Sequence, residues 1–120
     1  MNGWKLCQFK NIVNTFLEDC DPNMQEALEE RLYLLSDKGN MCKRPVSESL
    51  GDGLFALRAK ENRQQVRLIY YFKPNKVVNF VHVFYKTTKK ISHRDIRIAK
   101  KNRKIIEEEE RIAYKINLTN

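Results

Sequence analysis

Residues 54–92 read LFALRAKENRQQVRLIYYFKPNKVVNFVHVFYKTTKKIS and contain three apolar runs rich in Val, Ile, Tyr and Phe. The runs cover Leu54–Ala59, Val66–Phe72 and Lys76–Tyr85, with short polar segments between them. Apolar runs of this length, bounded by turn residues, are typical of β-strands. The Pro-Asn pair at 74–75 suits a tight turn, because proline presets φ and asparagine tolerates the left-handed region. The stretch therefore predicts three consecutive strands of an antiparallel sheet.

Alternation along the first two strands predicts a sheet with one apolar and one cationic face. Successive side chains of a strand point to opposite faces, so Arg58, Arg67 and Lys73 share one face. The third run is apolar on both sides, which suits a central or helix-covered strand. We expect the second face to be a cationic, partly aromatic surface. The opposite, apolar face comprises Phe55, Leu57, Ala59, Val66, Leu68, Tyr70 and Phe72.

A lysine cluster follows the third run, at Lys86, Lys89 and Lys90. Arginines on a sheet face are often ordinary solvated charges, because antiparallel sheets commonly expose one face to water. Two arginines at strand positions, followed by a lysine cluster on a basic chain, instead favour a surface that binds a polyanion.

Guanidinium and ammonium groups suit metal-independent cleavage of RNA. A 2′-hydroxyl attacks the adjacent phosphate, while the protein moves protons and stabilises the added negative charge. Arg58 and Arg67 are the candidates for holding that charge, because arginine presents a planar fork to phosphate oxygens. Lys86 or Lys89 is the candidate for proton transfer, because neighbouring cations lower the pKa of a lysine. The sequence shows no converging carboxylates, so we expect no metal and no cofactor.

The three runs resemble, in order, the motifs of the RelE/HigB superfamily of toxins, in its phage-derived HigB-like branch. LFALR is similar to Leu-Trp-Glu-Leu-Arg, QVRLIYYF to Tyr-Arg-Val-Leu-Tyr-Phe, and HVFYKTTKKIS to His-Gly-Phe-x-Lys-Lys-x-x-Lys-Thr-Pro. The resemblance covers residues 4–104. The chain departs from the motifs at Phe55, Val83, Thr87 and 91–92, so Lys86 and Lys89 both remain candidates. The matching positions are Leu54, Leu57, Arg58, Arg67, Tyr70 or Tyr71, Phe72, His82, Phe84, Lys86, Lys90, Asp95, Ile96 and Ala99.

The resemblance implies an α+β fold of the RelE/ParE type, with an N-terminal helical hairpin packed on a small antiparallel sheet and a C-terminal helix. It also implies a toxin of a type II toxin–antitoxin pair, an endoribonuclease that cuts mRNA on the ribosome and is silenced by a helix-turn-helix antitoxin. Two alternatives remain, since fold does not fix function: a gyrase poison of the same fold, or a basic RNA-binding module without activity. The candidate RNA-binding residues are Lys43, Arg44, Lys73, Lys90, Arg94 and Arg97.

The first third of the chain predicts two helices, over residues 11–20 and 21–39. Apolar residues recur at helical spacing in both segments. The second segment begins with an Asp-Pro pair, which suits the N-cap and the first turn, and Gly39 suits its end. Its charged residues, Arg31 among them, are interpreted as a solvated face. Residues 40–53 are expected to form a loop.

The last third predicts a helix over Ser92–Glu110 that carries a basic band. Asp95 lies three residues after Ser92, in the position of a capping box. Residues 105–120 are expected to extend this helix and to end as a mobile tail or as an extra strand paired with a partner. His82 is interpreted as a buried structural imidazole, and Asp52 and Asp95 as isolated carboxylates.

Composition limits the class of protein. A chain of 120 residues favours one domain, residues 1–120, and a net charge of +8 indicates a polyanionic partner. The sequence has no apolar stretch of membrane-spanning length and no signal-peptide core, so we expect a cytoplasmic protein without a membrane partner. Three cysteines without CxxC spacing are interpreted as reduced structural thiols.

Overall fold

The computed structural model describes residues 3–118, which contain six strands and three α-helices. The strands form one sheet, in which all neighbours are antiparallel except β1 and β5. Its spatial order is β2-β3-β4-β5-β1-β6. The strands are β1 (Lys5–Phe9), β2 (Ser47–Gly51), β3 (Leu54–Glu61), β4 (Gln64–Lys73), β5 (Val77–Tyr85) and β6 (Ala113–Lys115). The helices are α1 (Ile12–Asp19), α2 (Pro22–Lys38) and α3 (His93–Glu108).

The α+β class and the antiparallel order β3-β4-β5 confirm the prediction, and the architecture is consistent with a RelE-like fold. The prediction of a loop over residues 40–53 is wrong for β2, which pairs with β3 at the sheet edge. Its sequence, SESLG, has one apolar residue and gives little strand signal. Pairing with β3 forms it, and the Ser47 hydroxyl bonds to the Tyr70 hydroxyl in the interior.

Helices α1 and α2 cover one face of the sheet and form the larger core with it. The Asp21 carboxylate caps α2 by accepting a hydrogen bond of 2.9 Å from the Met24 amide, as the sequence predicts. Gly39 ends the helix with a φ of 54°, and a Cβ there would lie 2.0 Å from the Trp4 ring, so glycine is required. The buried residues of this core include Val13, Leu17, Met24, Leu28, Leu32, Leu35, Leu57, Leu68, Tyr70 and Phe80.

Helix α3 covers part of the second face, so the expectation of an open cationic face is wrong there. Ile69 and Tyr71 of β4 pack in a second core with Ala99 and Ile106 of α3. The cause is the apolar stripe of α3, which removes area from water by lying on this half of the sheet. The other half, around Arg67, lies outside this core.

The C-terminal segment returns to the sheet. After α3, β6 pairs antiparallel with β1 of the same chain, over Cys7–Phe9 and Ala113–Lys115. Of the two expectations for this segment, the strand is observed, with an intrachain partner. Residues 119 and 120 lie outside the described part of the chain.

A β-bulge interrupts the pairing of β4 with β5. Ile69 pairs with His82, whereas Tyr70 pairs with Phe80, so Val81 is an additional residue on β5. Val81 belongs to the second core, together with Ile69.

Candidate functional site

The open half of the second face carries two arginines directly opposite each other. Arg58 on β3 and Arg67 on β4 are register partners, so the predicted shared face is confirmed. Arg67 is only 2% exposed. Like charges opposite each other on a sheet destabilise it, and this unfavourable arrangement is typical of functional sites.

The Arg67 guanidinium is only partly satisfied by hydrogen bonds. Its Nη1 donates to the Val66 carbonyl at 3.1 Å, and its Nη2 donates to Oε1 of Gln65 at 2.9 Å. Its buried Nε has no hydrogen-bond partner among the described residues. Burial and the Arg58 charge lower the pKa of Arg67, while the Glu48 carboxylate opposes this shift. One donor of the guanidinium is therefore unmet within the described fold.

Glu48 on β2 supplies the negative charge near these arginines. Its Oε2 lies 3.4 Å from Nε of Arg58, at an angle that does not make a hydrogen bond. Its Oε1 lies 3.9 Å from Nη2 of Arg44, so the basic loop before β2 contacts the same carboxylate. This loop also brings Lys43 to a shallow cavity beside Phe55.

Lys86 joins the arginines, while Lys89 contributes its backbone. The Lys86 amide donates to the Gln65 carbonyl at 2.8 Å, which continues the β4–β5 pairing by one residue. Burial lowers the pKa of Lys86, and the charges of Arg67 and Arg58 add to this effect against the opposing charge of Glu48. Its Nζ donates to the Lys89 carbonyl at 2.9 Å. The geometry therefore favours Lys86 over Lys89 as the group next to the arginines.

A cavity of about 240 Å³ lies beside the β3–β4 turn. Arg31 of α2 reaches it, although the sequence places this residue on a solvated face. Its position between the buried Leu28 and Leu32 is the signal that could have indicated contact with the sheet. The cavity is lined by Arg31, Pro45, Arg58, Ala59, Lys60, Gln65 and Arg67.

The remaining basic candidates do not line the cavity beside the arginine pair. Lys73 stands at the opposite end of β4, about 20 Å of strand from Arg67, and forms an ion pair with Glu110. Lys90, Arg94 and Arg97 are exposed around the start of α3. Their RNA-binding roles stay predictions.

His82 and Asp95 form a pair between the sheet and α3. Nε2 of His82 lies 2.8 Å from Oδ1 of Asp95, and the imidazole stacks on Phe84 with ring centroids 4.9 Å apart. Burial raises the pKa of Asp95, but hydrogen bonds from Ser92 and His82 outweigh it and hold the pKa below its usual value. The sequence does not predict this pair, because a contact across the fold brings the two residues together. The His82 side chain is 16% exposed, close to the expected structural imidazole.

Asp52 contacts two basic side chains of α3. Its carboxylate accepts a hydrogen bond of 2.7 Å from Nζ of Lys100, and its carbonyl accepts one of 2.7 Å from Nη1 of Arg103. The sequence does not predict these bonds, because α3 packs beside the β2–β3 turn, a contact between segments distant in sequence. These bonds attach α3 to the sheet.

Within residues 3–118, no cluster of three or more His, Cys, Asp or Glu side chains could hold a metal ion. Cys7, Cys20 and Cys42 are free thiols, and burial raises the pKa of each. A raised pKa disfavours the reactive thiolate, which fits structural cysteines. Over the same residues, no helix combines the length and apolar character needed to cross a membrane.

The fold and the clustered cations define a small α+β protein of RelE-like architecture with a basic surface site. Residues 15–104 match the sequence model of the phage-derived Gp49-like proteins (DUF891), a toxin–antitoxin-associated family. The chain therefore belongs to this Gp49-like family. The matched segment includes both arginines and Lys86. No curated protein gives a significant match to the chain.

Proposed function

We propose that this protein is the toxin of a toxin–antitoxin pair and a metal-independent endoribonuclease that cleaves mRNA. Membership of the Gp49-like family supports the toxin role. The observation that carries the nuclease proposal is the placement of Arg58 directly opposite Arg67, with the ammonium group of Lys86 electrostatically coupled to both.

Each of the three cations has a part in the proposed reaction. The 2′-oxygen of the substrate attacks the adjacent phosphorus and the bond to the 5′-oxygen breaks, which leaves a cyclic phosphate and a 5′-hydroxyl. Arg58 and Arg67 bind the non-bridging oxygens and stabilise the negative charge that develops there. The attacking 2′-hydroxyl loses its proton and the departing 5′-oxygen gains one, so no proton is consumed overall. Lys86 serves this proton transfer, and its lowered pKa brings it closer to neutral pH, where proton transfer is most efficient.

The proposed partners are inferred from the net charge of the protein and from its membership of the Gp49-like family. We propose that the protein acts in the cytoplasm on mRNA held by the ribosome, and that a helix-turn-helix antitoxin silences it. The net charge of +8 supports binding to a ribosomal RNA surface, with an affinity that falls steeply as salt rises. The proposed docking residues are Lys43, Arg44, Lys90, Arg94 and Arg97, all of which are exposed.

Brief induction in cells tests this function. The expected result is an early stop in protein synthesis with new mRNA 5′ ends, which Arg67→Ala and Lys86→Ala both abolish. Circular dichroism of the purified variants controls for folding, and cleavage in vitro should continue in the presence of EDTA. Full cleavage by both folded variants would falsify the assignment of the site.

The same induction separates the ribonuclease from an inhibitor of gyrase. A ribonuclease stops translation before any DNA damage response begins, whereas a gyrase poison triggers that response first. A DNA damage response without new RNA ends contradicts the nuclease proposal and leaves the toxin role in place.

A further inference from the structure

We infer that the cavity lined by Arg31, Arg58 and Arg67 is a subsite for a second phosphate group, the backbone phosphate next to the one that is cleaved. That the phosphate belongs to RNA rests on the proposed function. Binding of a phosphate group in the cavity does not, and it is measured without any cleavage.

The charge of the cavity lining is the first observation. Four of its seven residues, Arg31, Arg58, Lys60 and Arg67, are cationic, and none is acidic. Among residues 3–118, the side chains of Arg31 and Lys60 have no hydrogen-bond or ion-pair partner. Glu48 offsets part of the Arg58 charge from outside the lining. The cavity therefore carries an uncompensated positive charge, which an anion neutralises.

A buried donor without a partner is the second, independent observation. Arg67 is 2% exposed and its Nε makes no hydrogen bond with the described residues. Buried polar groups in folded proteins are nearly always satisfied, so an unmet donor on a residue that lines the cavity favours an acceptor from outside the chain. A phosphate oxygen is the acceptor that matches a guanidinium in both charge and geometry.

Position separates this subsite from the reacting phosphate. Lys86 follows β5, on one side of β4, whereas Lys60 lies on β3, on the other side. Strands β3 and β5 are two strand spacings apart, roughly 10 Å. Arg67 lies between them, on β4. The RNA backbone would thus cross the strands, with one phosphate at Lys86 and the next in the cavity.

The size of the cavity favours a single group over a whole nucleotide. Pockets for small molecules occupy roughly 300–1,000 Å³, and this cavity is smaller, at about 240 Å³. A phosphate with its solvent fits this volume, and the bases then remain outside. The subsite therefore positions the backbone without distinguishing sequence.

Arg31→Ala tests the subsite, with Arg63→Ala as the matched control. Both variants lose one positive charge, but Arg63 is exposed in the β3–β4 turn and does not line the cavity. Inorganic phosphate is titrated by calorimetry into each folded protein. Arg31→Ala should weaken phosphate binding about tenfold, as expected for a lost charge-assisted hydrogen bond, and Arg63→Ala by less than about twofold. Arg31→Lys, which keeps the charge without the planar fork, should fall between them.

Kinetics provide a second readout. With an RNA oligonucleotide as substrate, Arg31→Ala should raise KM about tenfold and leave kcat unchanged, because the subsite binds ground state and transition state equally. Lys86→Ala should instead lower kcat, because Lys86 acts in the chemical step. If Arg31→Ala fails to fold, Arg31→Gln retains most of the side-chain stem and replaces it in both assays.

Equal phosphate affinity in the Arg31 and Arg63 variants overturns the subsite, even when the wild type cuts RNA. Conversely, phosphate binding that depends on Arg31 in a protein that cuts no RNA supports the subsite and contradicts the nuclease proposal. A fall in kcat at constant KM for Arg31→Ala also overturns the inference, because it assigns Arg31 to the chemical step.

Discussion

The two ends of β4 present cations on the same face of the sheet, yet the surroundings of these cations differ. Lys73, at one end, pairs with Glu110, and nearby Arg103 of α3 lies 5.9 Å from the centre of the Tyr71 ring. At the other end, Arg67 is buried opposite Arg58 and keeps an unpartnered Nε. The comparison shows that a cation with acidic and aromatic partners in the fold has a structural role. A cation without such partners can instead bind a ligand.

Helix α3 is the cause of this difference. It covers the Lys73 end through the second core and brings Glu110 within reach, but it begins at His93, next to the His82–Asp95 pair. Beyond that pair α3 does not cover the face, and Arg58 and Arg67 lie outside the second core. The boundary between a packed and a binding half thus coincides with the N-terminus of α3.

The sharpest test of the comparison removes one cation at each end of β4. Arg67→Ala should reduce kcat/KM for RNA by about a thousandfold, because it removes a donor to the developing phosphate charge. Lys73→Ala should change it by less than about twofold, because its charge is already paired in the fold. Steady-state kinetics on folded protein measure both. A large loss for Lys73→Ala would contradict the comparison and support the predicted RNA-binding role of Lys73.

Truncating a core side chain should destabilise the half of the second face that α3 covers. Ile106→Ala should lower the free energy of unfolding by about 3 kcal/mol, because Ile106 is fully buried between α3 and the sheet. Urea denaturation measures the change, and Lys104→Ala on the exposed side of the same helix is the control. A loss no greater than that of the control would show that α3 does not hold this half of the face.

The His82–Asp95 pair, at the boundary between the two halves of the face, is tested by measuring stability as a function of pH. Asp95→Asn should lower the free energy of unfolding by about 1–2 kcal/mol at neutral pH, through loss of charged hydrogen bonds. The folded state lowers the pKa of Asp95, so its contribution is complete above its ordinary value of 3.8. It disappears as pH falls through the lower folded pKa. Unfolding measured across this range should show the two proteins converge in acid, and a constant gap would contradict the assignment.

The smallest expected effect is that of Glu48, the carboxylate beside the two arginines. Glu48→Gln should tighten phosphate binding by about two- to fivefold, because it removes a partly exposed opposing charge. Glu48 raises the pKa of Lys86, so its removal should lower that pKa further and shift the Lys86 limb of the pH–rate profile to lower pH. Glu61→Gln, at the end of β3, is the control. A shift in the opposite direction would separate Lys86 from this cluster.

Local chemistry made much of this fold predictable. Strand alternation placed Arg58 and Arg67 on one face, and both helix caps, at Asp21 and Ser92, lie where their sequences predict them. These features depend on neighbours in the chain, so a pattern of residues suffices to predict them. The catalytic roles of the cluster stay predictions.

Contacts between distant segments account for what the sequence did not predict. Arg31 reaches the cavity because α2 packs on β3, and Asp95 meets His82 because α3 lies across the sheet. The choice between Lys86 and Lys89 also depended on pairing with Gln65, across the sheet. Such contacts leave no periodic signal in one sequence.

The bulge at Val81 adds one residue to a strand whose side chains otherwise alternate between the two faces of the sheet. Every side chain beyond it changes sides, so Tyr85 meets Phe16 under α1 while Lys86 turns to the arginines. If Val81 occupied a regular strand position instead of a bulge, the ammonium group of Lys86 would lie on the opposite surface. Three cations separated along the chain thus share one face of the sheet because Val81 lies in a bulge.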